Sequence, residues 1–340
     1  MISRVNQKRQ KPKHTVHSSK SCHKQAVLTI ATGKSVYAEM AVNLALSIHE
    51  WSPEIKIQIA TDLKEKHFYD LTNVEVLKYE KGNLGESFSA KLQLDKISRS
   101  EKTLFIDCDC LAYKKVEPIF DIFKNTEVGV VGSSIAGGEW FGDISKVCER
   151  FKIKEMPKFN GGLYYFEKGE ICTKVYRRAR ELEKQYDQIG LVRLRGRPND
   201  ELLMAIAMAE NGLKAIKDDG SIIADPQAYP GRMSLKILEG RAKLTNPVPP
   251  SKHHVAWNSL REANPIFVHF LGSGHELPQY QADVIYLRRK KKIVSKYAAY
   301  AISRLFVLGP GLLMQKSKNL LRPIYRALFG IRAIKRSKRI

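Results

Sequence analysis

Short apolar runs alternate with amphipathic stretches through the first two thirds of this chain. Residues 26–32 (Ala-Val-Leu-Thr-Ile-Ala-Thr) are almost wholly apolar and stop at Gly33, the mark of a strand buried on both faces of a parallel sheet. From about 36 to 51, Tyr37, Met40, Ala41, Leu44 and Ile48 recur at helical spacing, and Pro53 opens a turn. Strands are predicted at 55–60, running into Thr61-Asp62, at 74–77 and at 103–106, the last preceded by a helix over 89–97. Farther on, 128–131 reads as a strand followed by a glycine-rich loop over 132–142, and 163–166 as another strand. A charged helix fits 170–186, and Pro198-Asn199-Asp200-Glu201 opens a helix that runs to about Asn211 and stops at Gly212. Residues 266–270 form a last strand, and no internal repeat is visible. Strands alternating with helices predict an α/β fold with a mostly parallel central sheet flanked by helices. Such sheets bind ligands at the carboxyl ends of their strands.

One strand end carries distinctive chemistry. In Leu104-Phe105-Ile106-Asp107-Cys108-Asp109 an apolar strand runs into two carboxylates two residues apart. Alternate side chains of an extended segment point the same way, so Asp107 and Asp109 are expected to face one point, with Cys108 and Cys110 on the opposite face. Two carboxylates aimed at one point repel each other unless a cation lies between them. Hard oxygen ligands suit Mg²⁺ or Mn²⁺, with substrate phosphates completing the shell. Two solvated aspartates at a strand-to-turn junction are the competing reading of a bare D-x-D. The site gains support because Thr32, Asp62, Asp107 and Asp109 all fall at strand ends. Gly33-Lys34-Ser35 is a decoy: a phosphate loop needs a glycine five residues earlier, where Leu28 stands. No G-x-G-x-x-G follows the first strand either.

Charge changes the picture at the two ends only. Residues 1–24 hold 7 Lys/Arg and residues 286–340 hold 16, neither with any Asp/Glu, and together they account for the whole net charge of +23. The body between them is balanced, so it lacks the basic folded face of a nucleic-acid-binding protein, and no nucleic-acid partner is expected. The division is a disordered basic tail over 1–24, a catalytic domain over 25–285 and a basic amphipathic tail over 286–340. In that last tail Ile293, Tyr297, Tyr300, Ala301, Leu305 and Leu308 recur at helical spacing, Gly309-Pro310-Gly311 breaks the pattern, and Leu312 to Phe329 resume it with Lys/Arg between. The longest uncharged run, 305–315, falls short of the ~20 residues of a spanning helix. Helices with apolar and cationic faces lie on anionic membrane surfaces; a terminal helix pair packed on the body is the plainer alternative. The cysteines (22, 108, 110, 148, 172) include no C-x-x-C, and no secretory apolar segment follows the basic start. These features predict a reducing cytoplasmic setting, peripheral to the inner face of the membrane. A zinc role for Cys108 and Cys110 is not expected, because no second Cys/His pair sits at ligand spacing.

Four blocks occur in one order: the strand with its D-x-D, Phe-Asn-Gly-Gly at 159–162, Asn-Asp-Glu at 199–201 before a helix, and His269-Phe-Leu-Gly272. Over about 25–275 that order resembles the GT-A fold glycosyltransferases, and within them the glycogenin-like family 8 and its bacterial relatives. The resemblance implies transfer of a sugar from a nucleotide donor, usually UDP-linked, to a glycan, lipid-linked or protein acceptor, with Mn²⁺ (or Mg²⁺) and retention of configuration. It assigns the metal to Asp107, Asp109 and His269, with Asp107 also reaching the ribose. It places Thr32, Tyr37 and Asp62 at the base and ribose, although Tyr37 fits a core aromatic equally well, and Lys91 near the diphosphate. Asn160, Gly161 and Gly162 would line the donor sugar. Asp200 and Glu201 would face sugar and acceptor, either accepting a proton or only orienting the sugar. The chain departs from family 8 after Gly272: the Lys-Pro-Trp tail is replaced by Ser273-Gly274-His275-Glu276-Leu277, and His275 stands where the diphosphate lysine would be. Two other functions compete: a sugar nucleotidyltransferase, for which Gly33-Lys34-Ser35 is a poor loop, and a basic-tailed nucleic-acid-binding protein.

Overall fold

The computed structural model describes residues 23–68, 71–85, 87–249, 260–290 and 295–330. The basic segments at 1–22 and 331–340 therefore lie outside the described residues. At the centre is a six-stranded sheet in the spatial order Val74–Lys78, Lys56–Thr61, His23–Ala31, Ser100–Ile106, Leu163–Glu167, Val128–Gly129. The first four strands are mutually parallel, and Leu163–Glu167 runs antiparallel to both of its neighbours. Strand alternation sorts the side chains into two cores. Leu28, Phe105, Tyr164 and Phe166 pack with the helices Glu170–Glu183 and Asp200–Glu210. Val27, Leu104, Ile106 and Tyr165 pack with Ser35–Trp51 and Glu117–Ile122 on the other side. The expected α/β architecture, a mostly parallel sheet flanked by helices with a C-terminal helical extension, is the one observed.

Three smaller sheets surround this centre. The one that matters for the site joins Ile223–Ala224, Phe267–His269 and Cys110–Ala112. Cys110–Ala112 is the direct continuation of the chain after the D-x-D, and its antiparallel partner sets His269 opposite Cys110.

Several expected elements are redrawn. The helix expected over 89–97 is a 3-10 helix, Ser87–Gln93, followed by one α-turn, Leu94–Ile97. The strand expected over 128–131 divides: Val128–Gly129 joins the main sheet, while Val131–Ile135 pairs with Met156–Phe159 in a separate one. Gly132 thus lies in a strand, not in a loop, because a Cβ there would stand 2.1 Å from the Lys158 carbonyl oxygen; glycine permits that approach. The helix expected over 170–186 stops at Glu183, and a short one, Tyr186–Ile189, follows.

The break expected at Gly309-Pro310-Gly311 does not occur. A π-helical turn, Arg304–Leu308, leads straight into the helix Gly309–Phe329, and this local widening ahead of Pro310 is where the helical ladder accommodates the missing N–H. Gly311 packs against Pro278, which a Cβ would meet at 2.7 Å. The result is one helical run of 34 residues, Lys296–Phe329, long and apolar enough by length and composition to cross a membrane. Its root is fixed to the body: Arg304 donates to Asp283, whose other oxygen accepts from the Tyr113 hydroxyl at 2.6 Å. Beyond the root, Leu305, Phe306, Leu313, Leu320, Leu328 and Phe329 are exposed.

Candidate functional site

The strand Ser100–Ile106 pairs with Leu163–Glu167 up to Ile106 opposite Leu163, and the Asp107 N–H then donates to the Gly162 carbonyl at 3.0 Å. The chain next turns sharply, with the Cys110 N–H donating to the Asp107 carbonyl at 3.1 Å. Asp107 and Asp109 therefore converge through a reverse turn, not through alternation along an extended strand. That turn also overturns the expectation for Cys110, which re-enters a strand directly opposite His269. The thiols of both Cys108 and Cys110 are buried.

His269 closes the corner from the last strand of its sheet. Its Nε2 lies 3.1 Å from Asp109 Oδ1 and 3.7 Å from Asp107 Oδ2. This buried nitrogen, on a residue 2% exposed, thus faces both carboxylates. Nδ1 is 3.1 Å from Asn160 Oδ1, which also accepts from the Gly162 N–H at 2.9 Å. Gly162 is required here, because a Cβ would sit 2.4 Å from the imidazole. Burial disfavours the imidazolium, but Asp109, Asp107 and Asp225 outweigh it and hold the His269 pKa above the ordinary value.

Lys91 reaches in from the 3-10 helix. Its ammonium donates to Asp107 Oδ2 at 2.7 Å and to the Gly161 carbonyl at 2.8 Å. Burial works against its charge, yet Asp107, Asp200 and Glu201 keep its pKa raised. Asp200 and Glu201 occupy the first turn of the helix Asp200–Glu210, capped by the Asn199 side chain. Asp200 is buried and accepts from the Tyr164 hydroxyl at 2.5 Å. Glu201 accepts from the Gly161 N–H at 2.7 Å. Burial raises the pKa of both; that of Glu201, next to Asp200, is pushed up to about 7.

The structure thus gathers Lys91, Asp107, Asp109, Asn160, Gly161, Gly162, Asp200, Glu201 and His269 into one connected network. Thr32 and Asp62 end the neighbouring strands of the same sheet edge, where Asp62 Oδ1 accepts from the Gly33 N–H at 2.9 Å and shapes that turn. Tyr37 is half-buried and packs on the core of the helical face. Gly272 takes a left-handed conformation (φ +61) beside Gln227. His275 stands on the short 3-10 helix Gly274–Glu276 with its Nε2 3.9 Å from Glu276. A concavity of about 730 Å³ lies elsewhere, between 151–157 and 209–214, and includes none of these residues.

Three neighbours of the corner were not expected there. Cys110 and Tyr164 are brought in by strand pairing. Asp225 ends the strand Ile223–Ala224 beside Phe267–His269, and its Oδ1 accepts from Gln227 and Ala228 N–H groups at 2.6 and 3.0 Å. Its signal was available: Ile222-Ile223-Ala224-Asp225 is another apolar run ending in an acid. The donor set fits a divalent cation. One oxygen of Asp109, the Cys110 sulfur and one ring nitrogen of His269 all lie within 4.8 Å of one another, and Nε2, which faces Asp109 and Asp107, could pass from them to such an ion.

Fold and corner together define an α/β protein with a buried acid–imidazole cluster at the carboxyl edge of its sheet. Among solved structures, the chain is similar to the galactosyltransferase LgtC with donor and acceptor sugar analogs, at 14% identity over 60% of this chain and 77% of that one, with a TM-score of 0.45. It is also similar to mouse xyloside xylosyltransferase 1 (9% identity, 72% and 97% covered, TM-score 0.45) and to the bifunctional glycosyltransferase WbbM (13% identity, 84% and 52% covered, TM-score 0.47). No protein-family model and no curated protein sequence matches the chain.

Proposed function

We propose that this chain is a metal-dependent glycosyltransferase of the GT-A type, akin to family 8, that moves a sugar from a UDP-linked donor to a glycan or lipid-linked acceptor with retention. The observation that carries this is the buried Nε2 of His269 directed at both Asp109 and Asp107, beside a largely buried lysine at the carboxyl edge of the sheet. Asp107, Asp109 and His269 would hold Mn²⁺ or Mg²⁺. When bound, the ion would supply Lewis-acid neutralisation of the leaving diphosphate. Lys91 adds a fixed positive charge at the same place. Thr32, Tyr37 and Asp62 would take the base and ribose, and Gly272 and His275 would close over the diphosphate. The tight turn at Asn160, Gly161 and Gly162 lets backbone approach the sugar closely. Glu201, with its pKa near 7, is matched to accepting an acceptor proton at neutral pH; Asp200, tied to Tyr164, holds that helix end in place.

The exposed apolar side of Lys296–Phe329, interleaved with Lys316, Lys318, Arg322 and Arg326, suits a cytoplasmic enzyme held at an anionic membrane surface beside its acceptor. The deciding assay is donor hydrolysis across a panel of nucleotide sugars, with and without Mn²⁺, for wild type and Asp109→Ala. Turnover is expected only with metal and only in wild type. Metal-independent turnover, or an Asp109→Ala variant of full activity, overturns the proposal. Liposome flotation of the full chain and of residues 1–285 tests the membrane role, which fails if both bind equally.

A further inference from the structure

We propose that Cys110 is itself a metal ligand, so that the ion at this corner takes a sulfur donor beside Asp109 and His269 and the site favours thiophilic divalent ions over Mg²⁺; this rests on the metal-dependent function proposed above. Cys110 and His269 are directly opposed residues of an antiparallel pair. Such residues share one face, with Cβ atoms about 5 Å apart. The Phe270 N–H donates to the Asp109 carbonyl at 3.0 Å, which ties the third donor to the same pair of strands. The three donor atoms lie within 4.8 Å of one another, on residues that are 9%, 0% and 2% exposed. A shift of about an ångström closes a shell with bonds of about 2.0–2.3 Å.

Asp107 keeps Oδ1 for the ion, since the Lys91 ammonium holds only its Oδ2. With Cys110 the corner offers carboxylate oxygens, one sulfur and one imidazole nitrogen. That mixture selects Zn²⁺, Co²⁺ or Cd²⁺ over the hard, octahedral Mg²⁺. On binding, a sulfur–metal bond replaces the S–H bond and the proton passes to solvent.

Co²⁺ titration of the full chain, followed by absorption and calorimetry, is the test. Wild type and Cys108→Ser should each bind one equivalent and show a near-ultraviolet thiolate-to-cobalt charge-transfer band. Cys110→Ser should lose the band and narrow the ratio of Co²⁺ to Mn²⁺ affinity by at least about tenfold. Wild type alone can refute the assignment, whatever the fate of the variant: bound Co²⁺ without the band overturns it and leaves the metal-dependent function standing. A band that persists in Cys110→Ser also overturns it. If neither Co²⁺ nor Mn²⁺ binds at all, the metal-dependent function fails and the ligand assignment fails with it.

Discussion

Gly162→Ala probes the corner through a single methyl group. Gly162 is not in the left-handed region, so alanine meets no backbone obstacle there. The obstacle is steric: the new Cβ would lie 2.4 Å from His269 Nδ1, 2.5 Å from Cε1 and 3.0 Å from Asn160 Oδ1. Non-bonded heavy atoms settle at about 3.5–4 Å, so something must move by roughly an ångström. His269 is buried, paired through its strand and in contact with Asn160, so either the ring tilts or the 160–162 turn lifts. Overpacking of this kind costs about 1–3 kcal/mol, a fall in Tm of roughly 2–10 °C in a domain of this size. A displaced imidazole should also weaken metal binding by about 10–100-fold. Thermal melts and Mn²⁺ calorimetry read the two effects separately. Gly169→Ala is the control, because its backbone is extended (φ 173) and nothing lies within 4 Å of its Cβ. An unchanged Tm and unchanged metal affinity in Gly162→Ala would refute the packing argument; a lower Tm with unchanged metal affinity would remove His269 from the metal site.

Glu201→Gln should flatten the pH dependence of stability. With its carboxyl pushed up to about 7, the folded chain keeps a proton that the unfolded chain releases near 4.5, so stability falls as pH rises between those values, by up to about 3 kcal/mol. Urea unfolding from pH 4.5 to 7.5 checks this, and an identical slope in the variant refutes it. Lys91→Met leaves Asp107 without its cation and the Gly161 carbonyl without its donor, for a loss of about 1–3 kcal/mol. Because an added ion then replaces the missing charge, Mn²⁺ should raise the Tm of this variant more than that of wild type; equal shifts would contradict the account.

What could be read from sequence was local. The strand 26–32, the strand 163–166 and the start of the helix at Asp200 carry their own signals in apolar runs and a capping asparagine. The redrawn elements depended on distant partners. Gly132 reads as loop until the Lys158 carbonyl is known to press against it, and Gly309-Pro310-Gly311 reads as a break until a π-turn precedes Pro310 and Gly311 meets Pro278. In the site, Asp107 and Asp109 were visible as a motif, but the reverse turn that joins them was not. His269 entered only through a family resemblance. Cys110 was set aside because ligand spacing was sought along the chain, whereas its partner lies across an antiparallel pair. Asp225 carried a visible signal whose meaning depended on the register between Ala224 and Val268.

Charge at the corner sets what it can bind next. Without an ion, Lys91 faces Asp107, and the raised His269 pKa lets an imidazolium face Asp109, so these two pairs balance, with Asp200, Glu201 and Asp225 beside them. A divalent ion cannot share the imidazole nitrogen with a proton, so its uptake expels that proton and adds one net positive charge to the corner. Asp200, Glu201 and Asp225 offset part of that charge, and a donor diphosphate or a coordinating thiolate would add to them. Proton counting separates these outcomes: calorimetry at pH 6 in two buffers of different ionisation enthalpy should show close to one proton released per ion if His269 alone gives one up, and close to two if Cys110 also ligates. Metal affinity should therefore rise with pH through the titration of His269. Affinity independent of pH, with no proton released, would mean that the buried nitrogen never meets the metal.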